Sequence, residues 1–172
     1  ITEYKVDGYR LDLTKGFTQT SSSEATASNY DQSRIDNIAE YYNAAKAVKS
    51  DVMFILEHFC ADDEEMQLAY KGMYLWRNES NAYSQSAMGY QSSSDFSRMN
   101  AGPRNWVGYA ESHDEERNFY KAKAFGLGNL MTDSLARIAR VPLNIAFTTL
   151  IPGPKMIWQF GEMGYDYSID SN

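Results

Sequence analysis

The sequence predicts an α/β chain built on a parallel sheet, with its functional residues gathered at the C-terminal ends of the strands. Short apolar runs of strand length alternate with stretches of helical period, the pattern of βαβ units. Polar and charged residues close one run after another: Asp12, Glu57, His113-Asp114 and Glu162. In parallel α/β folds that edge of the sheet is where sites are built.

The first strand lies within residues 4–15. Val6, Gly8, Arg10 and Asp12 alternate onto one face and Tyr9, Leu11 and Leu13 onto the other. It reads as a short buried strand that delivers Arg10 and Asp12 to its end. Burying either charge alone is costly, so the two form a structural ion pair or serve a site. A polar small-residue loop follows over 18–29. Ser33-Arg34-Ile35-Asp36 fits the capping-box pattern, and Ile35, Ile38, Tyr42 and Ala45 make one apolar stripe on a helix ending near Lys49. Met53 to Phe59 is a continuous apolar run carrying Glu57, as expected of a parallel strand covered on both faces.

A second helical segment spans Asp62 to about Tyr70, before the apolar run Gly72 to Trp76. A short helix is expected over 82–89, then a third strand-like run, Asn105 to Glu111, leading into Ser112-His113-Asp114. From Asp133 to Leu150 the spacing of Leu135, Ile138, Ile145 and Thr149 predicts a long helix, which Pro142 kinks or divides. Lys155 to Phe160 is the last strand.

Composition bounds the partners. The 172 residues suffice for one domain with a core, but fall short of the roughly 250 of a closed (β/α)8 barrel. A net charge of −7, with no run of Lys or Arg, argues against nucleic acid. The single cysteine, Cys60, excludes an internal disulfide. The most apolar region, 141–158, is broken by Pro142, Asn144, Pro152, Gly153, Pro154 and Lys155, so no membrane span is expected. The chain starts at Ile1 and runs at once into a strand, the expectation for a piece of a longer protein whose targeting signal lies elsewhere.

Three carboxylates, Asp12, Glu57 and Asp114, end three different strands, with Arg10 and His113 beside two of them. Retaining glycosidases need such a set. One ionised carboxylate attacks the anomeric carbon, and a second carboxyl group protonates the leaving oxygen, about 5–5.5 Å away. Arg10 favours a charged Asp12. The apolar neighbours Phe54-Ile55-Leu56 and Phe59 favour a protonated Glu57. Other readings stand beside this one: Asp114 as a helix N-cap, and Glu57-His58 with His113-Asp114 as four metal ligands.

Residues 8–15, Gly-Tyr-Arg-Leu-Asp-Leu-Thr-Lys, resemble the second signature region of family-13 glycoside hydrolases, the α-amylase family. Residues 54–59 resemble the third region and residues 107–114 the fourth, in the family's order. Residues 154–162 resemble the eighth barrel strand of bacterial α-amylases. The resemblance implies a partial (β/α)8 TIM barrel, approximately strands 4 to 8, with residues 1–172 the C-terminal portion of a catalytic barrel. It implies Asp12 as nucleophile, Glu57 as general acid/base and Asp114 as the carboxylate that stabilises the transition state. Arg10, Lys15, His58 and His113 become substrate-binding residues; Gly16 stands where the family usually has histidine. Tyr9, Trp76, Tyr109 and Trp158 could stack on sugars or pack in the core. The implied activity is α-1,4 cleavage in starch-like polysaccharides. Branching, debranching, neopullulanase and glucanotransferase activities of the same family, or non-catalytic glucan binding, are the alternatives. The family's first signature region, which supplies an asparagine for structural calcium, is absent from these residues. Calcium is therefore expected only in a full-length parent that is secreted, periplasmic or on the cell surface, and no cofactor is needed for the chemistry. A chain of five strands is further expected to self-associate through exposed edges and to be inactive alone.

Overall fold

The computed structural model describes residues 1–100, 102 and 104–170. In chain order the elements are β1 (Gly8–Leu11), α1 (Gln32–Val48), β2 (Met53–Leu56), α2 (Asp62–Tyr70), β3 (Tyr74–Asn78), α3 (Ser80–Met88), β4 (Trp106–Tyr109), α4 (Asn118–Phe125), α5 (Ser134–Ile138), α6 (Val141–Leu150) and β5 (Lys155–Met156). The strands lie in one sheet in the order β1-β2-β3-β4-β5. β1 with β2, β2 with β3 and β4 with β5 pair in parallel. Parallel neighbours that follow chain order, with helices in the connections, are the arrangement of part of a (β/α)8 barrel. The fold class expected from the sequence is the one found.

By its contacts the chain divides into two compact units, Ile1–Trp76 with Gly102–Trp106, and Arg77–Ala101 with Val107–Asn172. In the first, β1 and β2 pair from Gly8↔Met53 to Leu11↔Leu56, so Asp12 and Glu57 come next on adjacent strands. Gly8 permits that pairing, because a Cβ there would lie 2.1 Å from the Met53 carbonyl oxygen. β1 is less covered than its pattern suggested, with Tyr9 39% exposed and edge-on to Phe54 at 5.7 Å. Helix α1 buries Ile35, Ile38 and Tyr42 as the period required. Its N-cap is Asp31 rather than Ser33: the Asp31 carboxylate accepts the Ser33 N–H at 2.9 Å and the Thr18 hydroxyl. Thr18 is the first cause holding the Asp31 carboxyl well below the usual carboxylate range, against the opposing effect of burial.

In the second unit a buried cluster of Met88, Phe119, Ala122 and Val141 joins α3, α4 and α6, with Tyr90 and Ile145 against it. Helix α4 has only eight residues and no apolar stripe of its own, and the sequence reading passed over it. The long helix expected over 133–150 is two helices. Pro142 sits in the first turn of α6, where its missing N–H costs nothing. The expected stripe also fails there, since Leu135 is 74% and Ile138 54% exposed. The last strand is only Lys155–Met156, and by Phe160 the backbone has turned to φ 65°.

Candidate active site

The ends of β1 and β2 carry the first half of the expected site. Arg10 grips both carboxylates: Nη1 bonds Asp12, and Nη2 donates to Glu57 Oε2 at 2.8 Å. Its guanidinium lies over the Trp76 ring, 4.1 Å from the centroid, a stacked cation–π contact that fixes the plane of the fork. Trp76 is only 5% exposed and serves Arg10, not a sugar face. Glu57 Oε2 also accepts the backbone N–H of Leu13 at 3.1 Å. Leu13 reaches it from a left-handed conformation, φ 44°, uncommon for a branched side chain. Carboxylate oxygens of Asp12 and Glu57 approach within 4.8 Å of each other. The two environments differ: the Asp12 side chain is 69% exposed and that of Glu57 only 7%. Glu57 is buried as its apolar neighbours implied, but its carboxylate faces Arg10 and Leu13 rather than those neighbours.

Behind Glu57 stands a buried polar network that the sequence reading missed. The Thr14 N–H donates to the Glu57 carbonyl at 2.8 Å, and the Thr14 hydroxyl lies 3.0 Å from the same oxygen and 2.9 Å from His58 Nδ1. His58 Nε2 lies 2.7 Å from Glu64 Oε1. Arg34 takes Glu64 bidentately, Nε at 2.6 Å and Nη2 at 2.8 Å, and spends its other donors on the carbonyls of Lys15, Ala27 and Asn29. All five guanidinium N–H groups thus have acceptors, which is how a charge only 2% exposed is tolerated. Burial pushes the Glu64 carboxyl up, but Arg34, His58 and the Asp31 N–H outweigh it and bring it down to about 2. The available signal was helical spacing: Arg34 shares the 34–38–42 stripe, and Glu64 stands one turn before buried Leu68.

His58 therefore departs from the expected sugar contact. It has no exposed surface and both ring nitrogens are engaged. Lys15 lies in the 3₁₀ turn Thr14–Gly16, where its carbonyl is tied to Arg34.

His58, Cys60 and Glu64 offer three ligand atoms within 4.8 Å of one another. They fit a metal poorly. Glu64 already has Arg34 on both oxygens, burial is the chief cause raising the Cys60 thiol to about 12, and calcium would need six or more oxygen donors.

In the second unit lie the other expected residues, His113 and Asp114. His113 Nε2 lies 3.2 Å from Asp114 Oδ1, with side chains 40% and 65% exposed. The His113 ring lies 6.3 Å from that of Trp158. Asp114 does not cap α4, which starts at Asn118 after Arg117. Glu111 anchors that start instead, accepting the Asn118 N–H at 2.7 Å with Arg117 Nε at 3.2 Å from its other oxygen. Glu111 is 4% exposed, and burial is the main cause pushing its carboxyl up. Tyr109 is wholly buried, a core residue.

Comparison with protein families and with curated proteins returned no match. Among solved structures, a pullulanase complexed with maltotriose, from Anoxybacillus sp. LM18-11, aligns with 96% of this chain at TM-score 0.69 and 18% sequence identity. This chain has a fold like that of part of the pullulanase. It spans 25% of the pullulanase chain, so the likeness speaks for the shared architecture and for no activity.

Proposed function

We propose that this chain supplies the strand-end residues of a retaining α-glucan hydrolase of the α-amylase family, forming approximately strands 4 to 8 of its catalytic barrel. The observation that supports this best is the grip of Arg10 on Asp12 and Glu57, one exposed and one buried carboxylate on adjacent strands within 4.8 Å. That proximity suits retention, where no water fits between the two groups in the first step. Asp12, kept ionised by Arg10, attacks the anomeric carbon and forms a glycosyl ester. Glu57 protonates the departing glycosidic oxygen. Arg10 and the Leu13 N–H both bond Oε2, which leaves Oε1 to make that transfer. The deprotonated Glu57 then takes a proton from water, which attacks the anomeric carbon and releases Asp12 with net retention. Asp114 and His113 act on the sugar hydroxyls from positions open to solvent. Lys15 is proposed to contact the leaving-group side. No step needs a metal.

Replacing Glu57 with Gln in the full-length enzyme should reduce turnover of maltooligosaccharides at least about 10²-fold, the usual share of a general acid. Turnover unchanged by that substitution would remove Glu57 from the mechanism. The 172-residue chain alone should release no reducing sugar from starch; release at the rate of the full-length enzyme would show that these strands suffice.

A further inference from the structure

We propose that His58 is a positioning residue: as the neutral Nε2–H tautomer it holds the Thr14 hydroxyl, and through Thr14 it fixes the main chain and side chain of Glu57 against Arg10. This rests on the reading of Glu57 as the acid/base.

A proton inventory leads to the tautomer. Glu64, bonded by Arg34 on both oxygens, is an ionised acceptor, so the 2.7 Å contact requires the hydrogen on His58 Nε2. Thr14 has one hydroxyl hydrogen and two neighbours able to accept it, His58 Nδ1 and the Glu57 carbonyl. With a neutral ring, Nδ1 has no hydrogen and must receive that of Thr14. The Glu57 carbonyl is still served by the Thr14 N–H. Were the ring charged, Nδ1 would donate to Thr14 and the hydroxyl would turn to Glu57. The groups that act on His58 are Glu64 from α2, Arg34 from α1 and Lys15 from the turn after β1, with Cys60 nearby. Burial in a site without solvent opposes the Glu64 contact, which favours the charged ring, and Arg34 and Lys15 add to the effect of burial. Burial is the first cause, and the His58 pKa is lowered.

The lock reaches the chemistry in one step. Thr14 follows Leu13, whose N–H bonds Glu57 Oε2, and the neighbours of Thr14 and of His58 are both left-handed: Leu13 at φ 44° and Phe59 at φ 52°. A non-glycine residue stays in that region only where its surroundings hold it. Thr14, His58 and Glu64 are each wholly buried, and they hold it here.

Long-range ¹H–¹⁵N spectra of the whole chain should show His58 protonated at Nε2 and bare at Nδ1 near neutral pH. Thr14→Val, which keeps the shape and removes the hydroxyl, should move the Glu57 carboxyl ¹³C and Arg10 Nη resonances. Thr14→Ser should restore both. In full-length enzyme Thr14→Val should lower kcat by up to about 10²-fold with KM unchanged, the cost of a misplaced catalytic group. The proposal is overturned by a hydrogen on Nδ1, by a Thr14→Val protein that is less stable with Glu57 and Arg10 signals unmoved, or by a change in KM alone. If Thr14→Val does not fold, the tautomer and the Thr14→Ser signals decide. An active Glu57→Gln enzyme would instead refute the catalytic reading and leave the spectral coupling intact.

Discussion

Arg34 and Glu64 are the residues whose loss the fold should tolerate least. Glu64→Gln leaves the Arg34 guanidinium buried and uncompensated, and should cost about 3–5 kcal/mol in urea unfolding. Asp12→Asn removes an ion pair whose carboxylate is 69% exposed, and should cost less than about 1 kcal/mol. A larger loss at Asp12 than at Glu64 would reverse the division between a structural and a chemical pair. The same residues set the pH response. Burial, the largest cause, depresses the His58 pKa in the folded state, so the unfolded chain binds that proton more readily. The resulting stability is present above the ordinary value of 6.5 and is lost as pH falls below it. Glu64, held at about 2 against its ordinary 4.5, adds a second loss at lower pH. Urea unfolding between about pH 7 and pH 5 should show the first loss in the native chain and not in His58→Gln. Sequence alone paired Arg10 with Asp12 because they share one strand. It could not supply Glu64 as partner for Arg34, because thirty residues and a strand separate them.

Helix α1 was legible from the stripe of Ile35, Ile38 and Tyr42, although its cap is Asp31 and not Ser33, and α2 from the acidic residues of its first turn. The split of the long segment at Pro142 followed from proline chemistry, but the stripe through Leu135 and Ile138 did not, because apolar spacing cannot say whether anything lies opposite. Helix α4 gave no period, and its start depends on Glu111, a carboxylate several residues upstream. The β1–β2 ladder is the element on which the site depends most. Gly8→Ala would place a Cβ against backbone that cannot rotate away, so the ladder must open. The expected result is a large drop in the thermal midpoint, with loss of the resolved Arg10 Nη signals; an unchanged midpoint would mean that β1 is not held in this register. Asp31→Ala, by contrast, removes one helix cap and its Thr18 contact, and should cost about 0.5–2 kcal/mol by urea unfolding.

At the scale of the molecule, the parallel βα repetition was readable from alternating runs alone, and the aligned pullulanase has the same architecture. What remained hidden is how much apolar surface each unit leaves exposed. In the first, Tyr9, Leu11, Phe17, Tyr41, Ala45 and Phe54 line an apolar groove of about 370 Å³. In the second, Leu135, Ile138 and Leu150 are largely exposed. Such surfaces promote association, so light scattering should give a mass that rises with concentration, and a constant monomer mass would show that they are tolerated in water. The central claim concerns chemistry, and it is tested most directly by trapping the glycosyl ester. A slow fluorinated α-glucosyl substrate, incubated with the full-length enzyme and followed by tryptic mass spectrometry, should leave one glucosyl group on the peptide Leu11–Lys15, at Asp12. An adduct on another peptide, or hydrolysis with inverted anomeric configuration, would contradict the assignment of Asp12 as nucleophile.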